Sequence, residues 1–246
     1  MKKDLVVIIN GGGTTGAELK SLYNYLAKND NYFVYFPASL PGSFVGKHFP
    51  KATVKHFAKF IEETIEIMRE DIFDKVYLIG YSLGAATCAA LAAKCPKTTK
   101  VVLIAPIIKN PNYRKFFKGL TRSLAFSHSL TRVQKIFYKE FLIRFARIPK
   151  MHILHLQLYL IFARKYLSMI TEPTLIIETL QDEMVKTKSI DKLEKMIKNT
   201  VDRYPVDSSH FLLFDKKVRN EVIEKVASYL EEEYNESINK LAKRFS

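Results

Sequence analysis

Ser82 is the residue around which a chemical reading of this chain organises itself. It lies in Gly80-Tyr81-Ser82-Leu83-Gly84, a G-x-S-x-G pattern that follows the apolar run 76–79 and precedes the small-residue run 85–91. A serine hydroxyl is a weak nucleophile at neutral pH. It becomes a useful one when a base takes its proton and the developing negative charge is stabilised. A sharp strand-to-helix turn serves that chemistry, because it lifts the hydroxyl clear of the sheet and sets it at a helix N-terminus, where partial positive charge favours an anion. Gly80 and Gly84 suit such a turn, since a side chain at either would clash. The bland alternative is a tight strand–helix turn with no chemistry.

The elements needed to hold such a turn are legible around it. Short apolar runs rich in β-branched residues predict strands at 5–10, 32–36, 76–80, 101–105, 173–179 and 201–206. Helical patterns fall between them at 15–28, 52–70, 83–94, 190–199 and 216–233. Continuous apolar strands alternating with helices predict a mostly parallel α/β sheet of about six strands, buried on both faces. The alternation breaks between 105 and 173, a gap too long for one crossover. Residues 107–172 read as a helical insert, with Pro149 separating two of its helices, in a core made of 1–106 and 173–246. Parallel sheets bind ligands at the C-terminal ends of their strands, so an insert there would act as a lid.

On the G-x-S-x-G turn and its strand–helix context, the chain resembles the α/β-hydrolase superfamily, whose catalytic residues follow the order Ser, Asp or Glu, then His. The resemblance implies the α/β-hydrolase fold with a helical lid. It places the acid in the loop after the strand that follows the lid, here Leu180-Gln181-Asp182-Glu183-Met184-Val185. Asp182-Glu183-Met184-Val185 is similar to the acid loop of small carboxylesterases and monoacylglycerol lipases, so Asp182 is the implied acid, with Glu183 as rival and Glu178 as a weaker one. The base is implied after the last strand, where Ser208-Ser209-His210 precedes an apolar run and Asp215. His210 would then act as the base, and Asp182 would orient its ring and stabilise the imidazolium. The resemblance also implies two backbone oxyanion donors, one mapping to Gly12, with Gly13 as its alternative, and the other to Leu83. Such esterases commonly carry His-Gly at the end of the first strand. This chain has Asn10-Gly11-Gly12-Gly13 instead, so Asn10 is a departure whose amide would have to replace the imidazole hydrogen bonds.

G-x-G-x-x-G also occurs at residues 11–16, but the acidic residue that a dinucleotide site needs at the end of the second strand is missing. Neither a cofactor nor a metal is expected; His152 and His155, three apart, lack an evident third ligand. Cys88 and Cys95 lie two helical turns, about 10 Å, apart and should be buried free thiols.

With 246 residues, 48% of them apolar, the chain can build a core without staples. The N-terminal lysines are followed by Asp4 and an apolar run too short for an export signal, and the apolar stretch 151–163 is too short to span a bilayer. A cytoplasmic protein, peripheral at a membrane at most, is expected. The net charge is +14, and residues 107–172 hold 13 Lys/Arg against 2 Asp/Glu, which leaves only +3 for the rest. That basic insert also carries 11 Phe/Tyr. It suits an acyl chain beneath it and an anionic membrane surface outside it, or else is a solvated basic face over an ordinary core. No nucleic-acid motif accompanies the charge, so nucleic acid is not an expected partner. Oligomeric state is left open. The reading implied by the resemblance is hydrolysis of carboxylic esters, of short or medium acyl length or monoacylglycerols, through an acyl-Ser82 intermediate. A thioesterase with the same three residues is the alternative within enzymes. Outside enzymes, a lipid- or ligand-binding protein on the same fold and a basic surface adaptor are the alternatives.

Overall fold

The fold is that of a computed structural model, described for residues 2–37, 40–43, 52–109 and 150–232, together with Lys118 and Lys135. Most of the expected insert therefore lies outside the described residues, as does its proposed break at Pro149.

Six strands form one parallel sheet: β1 (Lys3–Ile9), β2 (Tyr32–Tyr35), β3 (Phe73–Tyr81), β4 (Thr98–Ile104), β5 (Thr174–Thr179) and β6 (Val201–Val206), in the order β2-β1-β3-β4-β5-β6. The expected α/β-hydrolase architecture is present. Its physical basis is the pleat. Leu5, Val7 and Ile9 of β1 face one core, while Val6 and Ile8 face the other. Val76 and Leu78 of β3 join the first core, and Tyr77, Ile79 and Tyr81 join the second. Strands buried on both faces need apolar residues at every position, which is why these segments read as unbroken runs.

Helices cover both faces. α1 (Lys20–Leu26) and α6 (Arg219–Glu231) supply Leu22, Leu26, Val222 and Val226 to one core. On the other, α2 (Val54–Met68), α3 (Gly84–Ala92), α4 (Lys150–Leu167) and α5 (Thr187–Met196) supply Phe57, Cys88, Tyr159 and Leu193. Cys88 and Cys95 are both free and buried, as expected.

The expected helices at 52–70, 83–94 and 216–233 are each trimmed by one to three residues at their ends, and two others depart further in start or register. The helix expected at 15–28 starts only at Lys20, because Gly16 adopts φ 78° and residues 17–19 form a 3-10 turn. The helix expected at 190–199 is shifted to 187–196, between the extended residues Lys186 and Ile197.

Helix α4 is docked on α3. Its Tyr159 ring stacks on Phe57 with centroids 3.8 Å apart, and its hydroxyl shares a 2.6 Å hydrogen bond with Thr87 of α3. Tyr159, Ala163 and Leu167 are fully buried. No helix among the described residues is long and apolar enough to cross a membrane.

The chain leaves β1 for β2 on one side and returns to β3 on the other. The C-terminal ends of β1 and β3 therefore flank the point where the winding reverses, the usual ligand crevice of an open parallel sheet. Ser82 and the Gly11–Gly13 loop both sit there.

Candidate active site

Ser82 immediately follows β3 and has φ 54°, a left-handed conformation that L residues adopt at a cost. The turn is held by Ser82 N–H donating to Ile104 O (2.8 Å) and by Ile107 N–H donating to Ser82 O (3.0 Å). The two motif glycines are required by contact rather than by φ. A Cβ on Gly84 would lie 2.4 Å from Ile9 O and 2.6 Å from Asn10 O. A Cβ on Gly80 would lie 2.7 Å from Gly84 O and from Ala85 Cα. Helix α3 thus begins directly against the end of β1, closer than any side chain permits.

Three residues far apart in the chain converge here. Ser82 Oγ lies 2.8 Å from His210 Nε2, and His210 Nδ1 lies 2.8 Å from Asp182 Oδ2. All three are buried. Asp182 Oδ1 accepts the backbone N–H groups of Met184 and Val185, each at 2.7 Å, and the Thr179 hydroxyl donates to Oδ2. The acid loop therefore curls around its own carboxylate. Burial alone would raise the Asp182 pKa, but the His210 charge and hydrogen bond, with help from Thr179 and Val185, hold it below the ordinary carboxylate value. Burial alone would lower the His210 pKa, but the Asp182 charge and hydrogen bond, and then Glu183 and Glu18, hold it above its ordinary value.

The two rival carboxylates are occupied elsewhere. Glu183 is buried beside Asp182, but its Oε2 accepts the backbone N–H of His210 (3.1 Å) rather than meeting the ring. Glu178 pairs with Arg203 at 2.6 Å.

The Gly11–Gly13 loop lies against the Ser82 turn. A Cβ on Gly11 would meet Ser82 Cβ at 3.2 Å, and one on Gly12 would meet Leu83 Cδ2 at 2.7 Å. Gly13 takes φ 70°. Asn10 organises this loop. Its amide nitrogen donates to Thr14 O (3.0 Å), Gly11 O (3.1 Å) and Thr14 Oγ1 (3.2 Å), and its amide oxygen accepts Leu40 N–H (3.1 Å). One buried primary amide thereby closes the loop on itself and ties it to the chain after β2. Leu83 is the N-cap of α3, next to the Ser82 hydroxyl.

Three contacts at this site escape a reading of the sequence. Thr179 donates to Asp182, Glu183 accepts from the His210 main chain, and the Tyr81 hydroxyl donates to His210 O (2.9 Å). Tyr81 occupies the variable position of G-x-S-x-G, so its type alone signals nothing. Its depth at the end of a doubly buried strand was the available cue. Among the described residues no group of three His, Cys, Asp or Glu side chains could hold a metal ion.

Chemically, a buried hydroxyl hydrogen-bonded to an imidazole that is itself held by a carboxylate is arranged to lose its proton to that imidazole. The N-terminus of α3 and the facing glycine loop are arranged to meet negative charge on a bound oxygen.

Comparison with known proteins supplies a lineage for this arrangement. A family model described as serine aminopeptidase S33, of the α/β hydrolases, matches residues 1–217. No curated protein sequence matches significantly. Among solved structures, a metagenome-derived lipolytic enzyme of the LipS and LipT pair is similar with TM-score 0.68 and 16% identity, covering 94% of this chain and 95% of that one. A monoacylglycerol lipase from Paleococcus ferrophilus is similar with TM-score 0.66 and 20% identity, covering 94% and 96%. An enol-lactonase from Burkholderia xenovorans is similar with TM-score 0.63 and 14% identity, covering 94% and 93%. At these identities the likeness establishes the fold.

Proposed function

We propose that this chain, which belongs to the serine aminopeptidase S33 family of α/β hydrolases, is a serine hydrolase that cleaves carboxylic esters of short or medium acyl length, or monoacylglycerols, through an acyl-Ser82 intermediate. The observation that carries this reading is the unbroken relay of two 2.8 Å contacts from Ser82 through His210 to Asp182.

In this mechanism Nδ1–H of His210 is donated to Asp182, which leaves Nε2 as the acceptor that faces Ser82. His210 takes the Ser82 proton as Oγ attacks the ester carbonyl. The tetrahedral oxyanion is met by the backbone N–H groups of Gly12 and Leu83. Asp182 stabilises the imidazolium, which then returns the proton to the departing alkoxide. Water deacylates the serine by the same route in reverse. No step calls for a cofactor. A thioester substrate would use the same residues and differ only in its leaving group.

Fluorophosphonate labelling tests the reading. The unmodified chain should be labelled at Ser82, and S82A should lose both label and turnover of p-nitrophenyl esters. Labelling absent from the unmodified chain would favour a ligand-binding protein on this fold; a surface adaptor would keep its binding unchanged in S82A. A series of p-nitrophenyl esters of increasing chain length, beside matched thioesters and a peptide anilide, ranks the substrate classes.

A membrane surface is proposed as the place where lipid substrate is met. Met151, Leu154, Leu158 and Ile161, spaced three, four and three apart, form an exposed apolar stripe on α4. Arg164 and Lys165 follow it on the same helix, and Lys192, then Arg164, lie near enough to Lys109 to hold its pKa below the ordinary lysine value. An apolar stripe beside clustered cations suits an anionic bilayer interface. Equal pelleting with neutral and anionic vesicles would remove the electrostatic part of this proposal.

A further inference from the structure

His210 is held at four atoms, and the four holders come in two adjacent pairs. Tyr81 and Ser82 are consecutive at the end of β3; Asp182 and Glu183 are consecutive on the acid loop. Within each pair one residue takes the imidazole and the other takes the main chain. Ser82 and Asp182 meet Nε2 and Nδ1. The Tyr81 hydroxyl donates to the carbonyl of His210 at 2.9 Å, and Glu183 Oε2 accepts its N–H at 3.1 Å. The loop bearing the imidazole is thus fastened to the two segments whose side chains its ring meets.

We propose that Tyr81 and Glu183 are positioning residues that hold the His210 main chain from both sides, and that the Glu183 charge also favours the imidazolium formed when Ser82 gives up its proton. This rests on the serine hydrolase reading above. Two observations separate Glu183 from a simple structural acceptor. It is 4% exposed, and its second oxygen, Oε1, is buried without a hydrogen-bond partner. A glutamine would supply the same acceptor at a smaller desolvation cost. What glutamate adds is charge, beside the one group at the site that becomes cationic during the reaction.

The surrounding groups agree in direction. The ionisable groups that bear on the His210 ring are Asp182 and Glu183 of the acid loop, Glu18 of the 3-10 turn after β1, and the Tyr81 hydroxyl at the end of β3. All three carboxylates raise the proton affinity of the ring, Asp182 the most. Burial pushes the Glu183 carboxyl itself above its ordinary value, so its charge is the first of the pair to be lost as pH falls. Tyr81 is fully buried and held well above the ordinary phenol pKa, first by burial and then by these same carboxylates, so it remains a donor throughout.

The test uses E183Q, E183A and Y81F in the full chain, with two readouts. The first is kcat and KM on a p-nitrophenyl ester across pH, with melting temperature recorded for each variant. E183Q should leave KM unchanged, lower kcat by about threefold to tenfold, and move the acidic limb of kcat/KM down by about 0.5–1 pH unit. E183A should lose more, because the N–H of His210 then has no acceptor, and Gln should recover part of that loss. Y81F should lower kcat with KM and the acidic limb unmoved. The second readout is the His210 ring titration followed by NMR, which needs no turnover. Its midpoint should fall in E183Q by the same interval. An unmoved midpoint and limb in E183Q overturn the electrostatic role, and wild-type kcat in E183A and Y81F overturns the clamp. If instead the unmodified chain fails to label at Ser82 while the titration moves as stated, the hydrolase reading falls and the effect of the Glu183 charge on His210 stands.

Discussion

The turn that carries Ser82 and the loops that carry Asp182 and His210 meet within hydrogen-bonding distance, yet different forces fix them. The turn is set by steric exclusion. Helix α3 starts so near the end of β1 that only glycine fits at 84, and Ser82 is held at φ 54° by backbone bonds to β4 and to Ile107. The acid and histidine loops are set by polar contacts. Asp182 accepts two backbone N–H groups and the Thr179 hydroxyl, and His210 is bonded on both ring nitrogens and both main-chain groups. A site built this way has a half that fails by packing and a half that fails by charge.

Breaking the first half should have the largest effect. G84A forces a Cβ into the backbone of β1, where no flexible side chain can yield. A loss of about 3 kcal/mol is expected, read as a marked fall in melting temperature together with lost activity. A G84A protein that melts with the wild type would refute the steric account. D182N comes next and acts on the other half. It should fold normally yet lose about 10³–10⁴ in kcat, because the imidazole tautomer is no longer fixed. Comparable losses of stability in D182N and G84A would erase the distinction between the two halves.

Smaller effects sharpen the comparison. N10A removes the amide that closes the glycine loop and ties it to Leu40. A misplaced oxyanion donor costs at most about 10²–10³ in rate, and N10A should fall within that bound with KM little changed; an unaltered kcat would detach Asn10 from the oxyanion loop. T179V deletes a hydroxyl that donates to a buried carboxylate and should lower kcat by about tenfold.

The pH profile is the gentlest probe. His210 must be neutral to accept a proton, and its pKa is held above 6.5. The acidic limb of kcat/KM should therefore lie above 6.5, and a limb below it would contradict the Asp182 contact. Stability follows the same pair. Asp182, depressed in the fold, contributes stability present above the ordinary carboxylate value and lost as pH falls toward its folded value. His210, raised in the fold, contributes stability present below 6.5 and lost as pH rises through its folded value. D182N should flatten both limbs of a melting-temperature profile.

The same division governs how much the sequence discloses. Steric requirements leave local signatures. Gly80 and Gly84 bracket Ser82 at fixed spacing, and doubly buried strands such as β4 announce themselves as runs like Val101–Ile104. Strand β6 has the bounds expected for it, Val201–Val206. Polar requirements leave few local marks, because their partners are distant. Tyr81 and His210 are 129 positions apart, and Asn10 and Leu40 are 30 apart. Asp182 and His210 were reached through resemblance in order and loop context. Thr179 and Tyr81, whose types are ordinary strand residues, were not reached at all. Asn10 was visible as a departure, but its bonds to Thr14 and Leu40 required coordinates. Periodicity does not register the left-handed turn at Gly16, so helix α1 starts later than its apolar pattern suggests.

The docking of α4 has a consequence for how this chain can change. Ile107 is bonded to the carbonyl of Ser82, and Tyr159 is bonded to Thr87 one turn into α3. Both ends of the long connection between β4 and β5 are therefore moored to the same strand–turn–helix unit that bears Ser82. Closing a longer loop between fixed moorings costs little more than closing a shorter one. Changes in the length of the connection between these moorings are therefore expected to leave the Ser82 turn in place.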